Sequence, residues 1–310
     1  MKKFILALDW TANTNHSGFF VAAQQGFYVD EGLDVYLRST SEDNYARTPA
    51  SLLAAKEVHL AMAPSESVIA YRTNPSKPAL TAIAAVLQQD ASAIVSLKSS
   101  GLDRISQLDG KAYASYNARF EDHIVAEMIK TDGGKGEHIK IVPEKLGIWN
   151  TLLEGKAAAT WVFMPWEGVM ASKKQVELNA FYLQDYKIPY GYSPVLLAHP
   201  ELLAEDPEAY KKILRASRKG FQLLKENPQL AAEALYKKEN LEELADKDFL
   251  IQSQEAINPY YFDEAGDWGL MQEERWTQFI HWLKRKELIT AEELSNLMEE
   301  PLFTNLYLSN

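Results

Sequence analysis

The stretch from Leu8 to Tyr28, L-D-W-T-A-N-T-N-H-S-G-F-F-V-A-A-Q-Q-G-F-Y, limits what this chain can become more than any other. An apolar run from Phe4 to Leu8 stops at Asp9 and gives way to Trp10, Thr11, Asn13, Asn15 and His16. Apolar residues then recur at helical spacing until Gly26. The stretch therefore predicts a strand, a polar loop and a helix. In an open α/β sheet, ligands are held in the loops just beyond the carboxyl ends of the strands. An Asp, a Trp, two Asn and a His in one such loop can hold a small planar polar molecule by stacking and hydrogen bonding. Each of these residue types also serves as a turn former or a helix cap. The cluster carries the signal, and its single members do not.

The same junction returns along the chain. Leu33–Leu37 alternates like a strand after the turn at Gly32. Val58–Met62 leads into Ala63-Pro64-Ser65-Glu66-Ser67, where Ser65 is expected to cap a helix running through Tyr71. Leu80–Leu87 is nearly continuous apolar sequence, as in a strand covered on both faces. At Gln88-Gln89-Asp90 polar residues interrupt, and a second α/β series begins. Its strands are expected at Ala93–Leu97, Lys111–Tyr116, Ile139–Val142, Ala157–Phe163 and Leu178–Leu183. A helix over Phe120–Lys130 ends at Gly133-Gly134. The strand ending at Phe163 runs into Met164-Pro165-Trp166-Glu167-Gly168, a third polar-aromatic junction. Tyr190-Gly191-Tyr192-Ser193-Pro194 leads back into the apolar run Val195–Ala198. The remainder reads as helices, beginning with Asp206 as a cap and Pro207 at the first helical position. At 310 residues the chain is long enough for two domains. Residues 1–90 plus 194–310 are expected to form a discontinuous α/β domain, with 91–193 inserted as a second. Strands alternating with helices point to mostly parallel sheets, and the two crossings to a hinge.

Composition removes several classes of function. Charged residues make up 24% of the chain, 32 basic against 43 acidic, for a net charge of −11. No block of Lys or Arg offers the footprint that nucleic acid requires, so nucleic acid is not an expected partner. The absence of cysteine excludes disulfides, thiolate metal sites and a Cys nucleophile. No apolar run approaches the roughly 18 residues that span a bilayer, so no membrane insertion is expected. Met1-Lys2-Lys3 precedes only a short apolar run that Asp9 ends, so no signal peptide is expected in the sequence as written. Cytoplasmic placement is the expectation as written, and a periplasmic or cell-surface one if a leader was removed. There is no Walker loop, no G-x-S-x-G elbow and no H-E-x-x-H. The six histidines show no metal-ligand spacing, and His59 reads as a structural residue.

What remains is a set of aromatic and amide groups at the carboxyl ends of expected strands. Trp10, Trp166 and Tyr190 offer faces for a flat ring, and Asn13, Ser65, Asp90, Asn117 and Glu167 offer hydrogen bonds. Such groups describe a binding cleft more readily than a reaction centre. A carboxylate such as Glu167 can accept two N–H donors from an aminopyrimidine-like edge. Trp161 and Phe163, within their strand, read as core residues.

The opening motif resembles that of proteins that bind thiamine-pyrimidine precursors. This family includes ABC-transporter substrate-binding proteins for formylaminopyrimidine and the fungal-type hydroxymethylpyrimidine phosphate synthases. The likeness continues through A-P-S-E-S-V at Ala63–Val68, L-Q-Q-D-A-S-A-I-V at Leu87–Val95, Y-N-A-R-F-E-D at Tyr116–Asp122 and W-V-F-M-P-W-E-G at Trp161–Gly168. The resemblance implies an α/β type II periplasmic-binding-protein fold with a ligand cleft between its domains. It implies ligand contacts from Asp9, Trp10, Asn13, His16, Ser65, Glu66, Asp90, Asn117, Trp166, Glu167, Tyr190 and Tyr192. The synthases carry a cysteine-rich run before the returning strand, where this chain has Tyr190–Pro194. They also use a Lys and a His near the positions of Ala63 and Ser67, and no Lys or His lies between Leu60 and Tyr71 here. The expectation is a binder of a formylaminopyrimidine-type or hydroxymethylpyrimidine-type ligand, for uptake or for thiamine biosynthesis or salvage. No catalytic residue, metal or cofactor is expected, and an ABC permease is the candidate protein partner. A cytoplasmic enzyme of pyrimidine synthesis and a binder of another small molecule, such as a sulfonate, are the alternatives.

Overall fold

The structure is a computed structural model that describes residues Met1–Leu308. Ser309 and Asn310, the end of the expected first domain, lie outside the described residues. Along the chain run β1 (Lys2–Ala7), α1 (Ser17–Gln24), α2 (Phe27–Asp30), β2 (Leu33–Arg38), α3 (Pro49–Ala54), β3 (Leu60–Ala63), α4 (Ser65–Arg72) and β4 (Thr81–Ala85). Next come β5 (Ser92–Leu97), β6 (Ala112–Ala114), α5 (Glu121–Thr131), β7 (Ile139–Ile141), α6 (Ile148–Leu153), β8 (Ala159–Phe163), α7 (Val169–Lys173) and β9 (Leu178–Phe181). The last part holds β10 (Val195–Ala198), α8 (Pro200–Glu205), α9 (Pro207–Glu226), α10 (Gln229–Leu235), α11 (Lys247–Ile257), α12 (Glu273–Arg285) and α13 (Ala291–Glu299).

These elements divide into two compact units. The first comprises Met1–Asp90, Gly191–Glu273 and Ala291–Asn310; the second comprises Ala91–Tyr190 and Glu274–Thr290. Nearly all of α12 thus groups with the second unit, where Phe279 meets Phe120 edge-on and Tyr190 at 5.3 Å.

Each unit contains one five-stranded sheet, ordered β2-β1-β3-β10-β4 in the first and β7-β6-β8-β5-β9 in the second. In the first, β1 pairs parallel with β2 and β3, whereas β10 runs antiparallel to β3 and β4. In the second, β6 pairs parallel with β7 and β8, whereas β5 runs antiparallel to β8 and β9. Each sheet is therefore parallel except for one reversed strand. Strands β3, β10 and β4 are buried almost throughout, as their unbroken apolar sequences require.

One close approach anchors the helix that follows β1. A Cβ built on Gly220 of α9 would lie 2.0 Å from the backbone oxygen of Gly18 in α1, and one on Gly18 would meet the Phe221 ring at 2.3 Å. The two glycines let the helix backbones touch. Around that crossing Phe221 stacks on Trp268 at 4.7 Å and meets Phe19 edge-on at 5.0 Å. The Asp206 side chain caps α9 by accepting from the Ala209 N–H at 3.0 Å, as expected. The expected cap at α4 differs. Pro64 occupies the N-cap position and Ser65 is the first helical residue, with no side-chain capping bond. Proline at that position leaves the Ser65 N–H to the Tyr192 carbonyl instead, at 2.9 Å.

Gly220→Ala places a methyl against a backbone oxygen that cannot swing away. The expected cost is about 2 kcal/mol or more, read as a lower urea midpoint with an unchanged m-value.

Candidate functional site

Because β1, β3 and β4 end at the same edge of the first sheet and the reversed β10 begins there, Asp9–His16, Ser65, Glu66, Asp90 and Tyr192 belong to one edge. The loop after β1 is built around His16, which is fully buried. Its Nδ1 accepts the Asn13 N–H at 3.1 Å, which leaves the proton on Nε2 to be donated to Asp9 Oδ1 at 2.7 Å. Asn13 spends its side chain within the loop as well, accepting from Asn15 N–H at 2.8 Å and donating to the Thr11 carbonyl at 2.9 Å. From behind, Thr14 Oγ1 bonds Ser253 Oγ at 2.7 Å, and the Tyr261 hydroxyl donates to the Thr14 carbonyl. Asn13 and His16 therefore shape the loop.

Asp9 and Trp10 face outward from that frame. The Asp9 side chain is 17% exposed, and its Oδ2 has no hydrogen-bond partner among the described residues. Trp10 is half-buried and lies 5.6 Å from the ring of Tyr45, tilted by 51°. Tyr45 comes from the loop after β2, where it holds a left-handed φ of 61°. Burial and the nearby Glu239 carboxylate raise its phenol above the ordinary value. No motif in the sequence singles out Tyr45. Ser39 and Glu42 form a capping box just ahead of it, a signature visible in S-T-S-E and able to mark that loop as ordered.

The other first-unit positions are packed. The Ser65 Oγ is buried without a hydrogen-bond partner, and a Cβ on Gly191 would come within 2.4 Å of it. A larger residue between Tyr190 and Tyr192 would require the Ser65 hydroxyl to turn aside. Tyr192 is buried, and its hydroxyl accepts the Gln272 N–H at 2.9 Å. Glu66 is buried and Asp90 half-buried.

In the second unit Asn117 follows β6, Trp166 and Glu167 follow β8, and Tyr190 follows β9. Asn117 is exposed and takes a left-handed φ of 67°, its N–H bonded to Ser115 Oγ at 2.9 Å. Trp166 and Tyr190 are buried, and one Glu167 oxygen accepts the Phe163 N–H at 3.0 Å. Trp161 is a core residue that donates its indole N–H to Ser92 at 2.7 Å and packs beside Tyr190 at 5.5 Å. His59, as expected, is structural: its Nδ1 accepts the Ile5 N–H at 3.1 Å.

Glu121 organises the loop that carries Asn117, a role its sequence position at a helix start did not reveal. Its fully buried carboxylate accepts from Tyr113 and Ser115 hydroxyls at 2.9 and 2.8 Å, and from the Tyr116 and Ala118 N–H groups at 3.3 and 3.1 Å. Burial raises its pKa, and the hydrogen bonds from Ser115, Tyr113 and the Ala118 N–H oppose that shift.

A profile of the family described as NMT1/THI5 like matches residues 13–231. The chain belongs to that family. This NMT1/THI5-like chain is 23% identical to the formylaminopyrimidine-binding protein of Halalkalibacterium halodurans over 283 residues, covering 89% of this chain and 83% of the relative. It is 22% identical to the 4-amino-5-hydroxymethyl-2-methylpyrimidine phosphate synthase of Legionella pneumophila over 233 residues, 74% of this chain and 72% of that one. Among solved structures, the periplasmic nitrate-binding protein NrtA from Synechocystis PCC 6803 is similar with a TM-score of 0.72 at 13% identity, covering 99% of this chain and 87% of that one. The fold is that of the type II periplasmic binding proteins. No helix among the described residues is long and apolar enough to cross a membrane, and no group of His, Asp or Glu among them could hold a metal ion.

Glu121→Gln supplies a test of the loop frame. An amide cannot accept at both ends, so one backbone N–H loses its partner at a cost of about 1–3 kcal/mol. A carboxyl raised in the folded state contributes stability fully below its unfolded value of about 4.3, and that contribution is lost as pH rises through the folded value. The stability gap between wild type and variant is therefore expected to be wider at about pH 4.5 than at about pH 7.5, as read from urea midpoints.

Proposed function

We propose that the protein binds a thiamine-pyrimidine precursor of the formylaminopyrimidine or hydroxymethylpyrimidine type, without transforming it, as the ligand-binding component of an ABC importer or of a thiamine biosynthesis or salvage route. The observation that carries this reading is the arrangement of Asp9. Buried His16 holds one of its oxygens at 2.7 Å, and the other accepts nothing among the described residues. It lies one residue from Trp10, which pairs with Tyr45.

A carboxylate held this way is an acceptor prepared for an amino group, and the aromatic pair is a platform for a flat ring. An aminopyrimidine presents both features. The similarity to the formylaminopyrimidine-binding protein over 89% of the chain supports the same ligand class. His16 and Asn13 act in this reading by holding Asp9 and Trp10 in place.

Isothermal calorimetry with formylaminopyrimidine and with hydroxymethylpyrimidine tests the proposal. Binding is expected to at least one of the two. Asp9→Asn, which keeps an oxygen for the His16 N–H and replaces the outward acceptor with an amide donor, and Trp10→Ala are each expected to weaken it by about tenfold or more, the loss of one charge-assisted hydrogen bond or one ring contact, with little change in melting temperature. No heat with either compound at millimolar concentration overturns the ligand assignment. An imine absorbance on adding pyridoxal phosphate favours the enzymatic alternative instead.

A further inference from the structure

Glu239 is the only side chain among the described residues seen to bond both the loop after β1 and the loop after β2. It lies in the turn between α10 and α11, far from either loop in sequence. Its Oε1 accepts the Ala12 N–H at 2.6 Å, and its Oε2 accepts the Ser41 hydroxyl at 2.5 Å. Ala12 lies two residues beyond Trp10, and Ser41 lies four residues before Tyr45. The turn that presents Glu239 is itself held, because the Lys237 N–H donates to the Leu244 carbonyl at 2.9 Å and Lys237 takes a left-handed φ of 54°. Lys238 reaches over the Phe20 ring of α1 at 5.8 Å.

We propose that Glu239 is a positioning residue that clamps the two loops together and thereby sets the spacing of the Trp10–Tyr45 pair. This rests on the reading above that the pair receives the ligand ring. Loops carry high conformational freedom, and neither of these is joined to the other by the strand ladder beyond the Leu8 N–H to Arg38 carbonyl bond at 2.8 Å. A single carboxylate with one oxygen on each loop supplies the missing link. An aromatic pair held in advance at its binding spacing loses less freedom on meeting a ligand.

The geometry also predicts which substitution preserves the clamp. In Glu239→Gln the amide oxygen can still accept from Ala12, and the amide N–H can donate to Ser41 Oγ. Ser41 can then turn its own proton to Ser39 Oγ, 3.0 Å away. Glu239→Ala keeps neither bond.

Hydrogen–deuterium exchange on the ligand-free full chain reads the clamp, and calorimetry with formylaminopyrimidine reads its consequence. In Glu239→Ala, exchange is expected to accelerate at Ala12 and over residues 41–45 but not in β1 or β3, with affinity falling about tenfold. Glu239→Gln is expected to return both readouts to within about threefold of wild type. Unchanged exchange in either loop of Glu239→Ala overturns the clamp, whether or not any pyrimidine binds. Accelerated exchange with unchanged affinity overturns the positioning role. Failure of the wild type to bind formylaminopyrimidine or hydroxymethylpyrimidine, with exchange accelerated as expected, leaves the clamp supported and defeats the ligand assignment instead.

Discussion

A fully buried histidine in the loop after the first strand must satisfy both ring nitrogens from inside the protein, and the turn from Asp9 to His16 is the solution to that constraint. Water is excluded, so an unpaired ring nitrogen would cost free energy comparable to a lost hydrogen bond. Accepting from the Asn13 N–H selects the tautomer, and the remaining N–H has the Asp9 carboxylate within reach. The turn is thereby closed on itself. The same bonds leave Asp9 and Trp10 partly exposed at the outer side of the loop.

The second unit solves a similar problem with a carboxylate. Glu121 has no cation beside it among its hydrogen-bond partners, and four donors from one short segment surround it. A buried charge without such donors would be strongly disfavoured. The loop after β6 is consequently wrapped around Glu121, with Asn117 exposed in a left-handed turn at its outer side. In both units the reactive-looking groups nearest the chain's turns hold the loop, and their neighbours face outward. The proposed binding role suits this arrangement, because His16 and Glu121 are already engaged within their own loops.

Much of the scaffold was legible because it depends on local pattern. Alternating or continuous apolar runs give the strands, Gly26 and Gly133-Gly134 mark helix ends, and Asp206-Pro207 marks a helix start. Ser65 differs from the expected cap because Pro64 takes the N-cap position, which moves the helix start by one residue. The contacts of Tyr45, Glu121 and Glu239 are not legible in local pattern. Tyr45 meets Trp10 across 35 positions, and Glu239 meets Ala12 across 227, as only neighbouring strands and a distant turn can arrange. Glu121 looked like an acid placed to favour a helix start, and its burial is a property of the strands and helices around it.

The sequence by itself determined the alternation of strands and helices, the polar junctions at strand ends and the family to which the chain belongs, because each is written in spacing and short motifs. Tertiary structure alone decided which members of those junctions face outward. It also placed α12 with the second unit and left each sheet with one reversed strand. The physical reason is that hydropathy and propensity act on neighbours along the chain. Burial, hydrogen-bond satisfaction and the choice of a histidine tautomer depend instead on groups that only folding brings within 3 Å or so of one another.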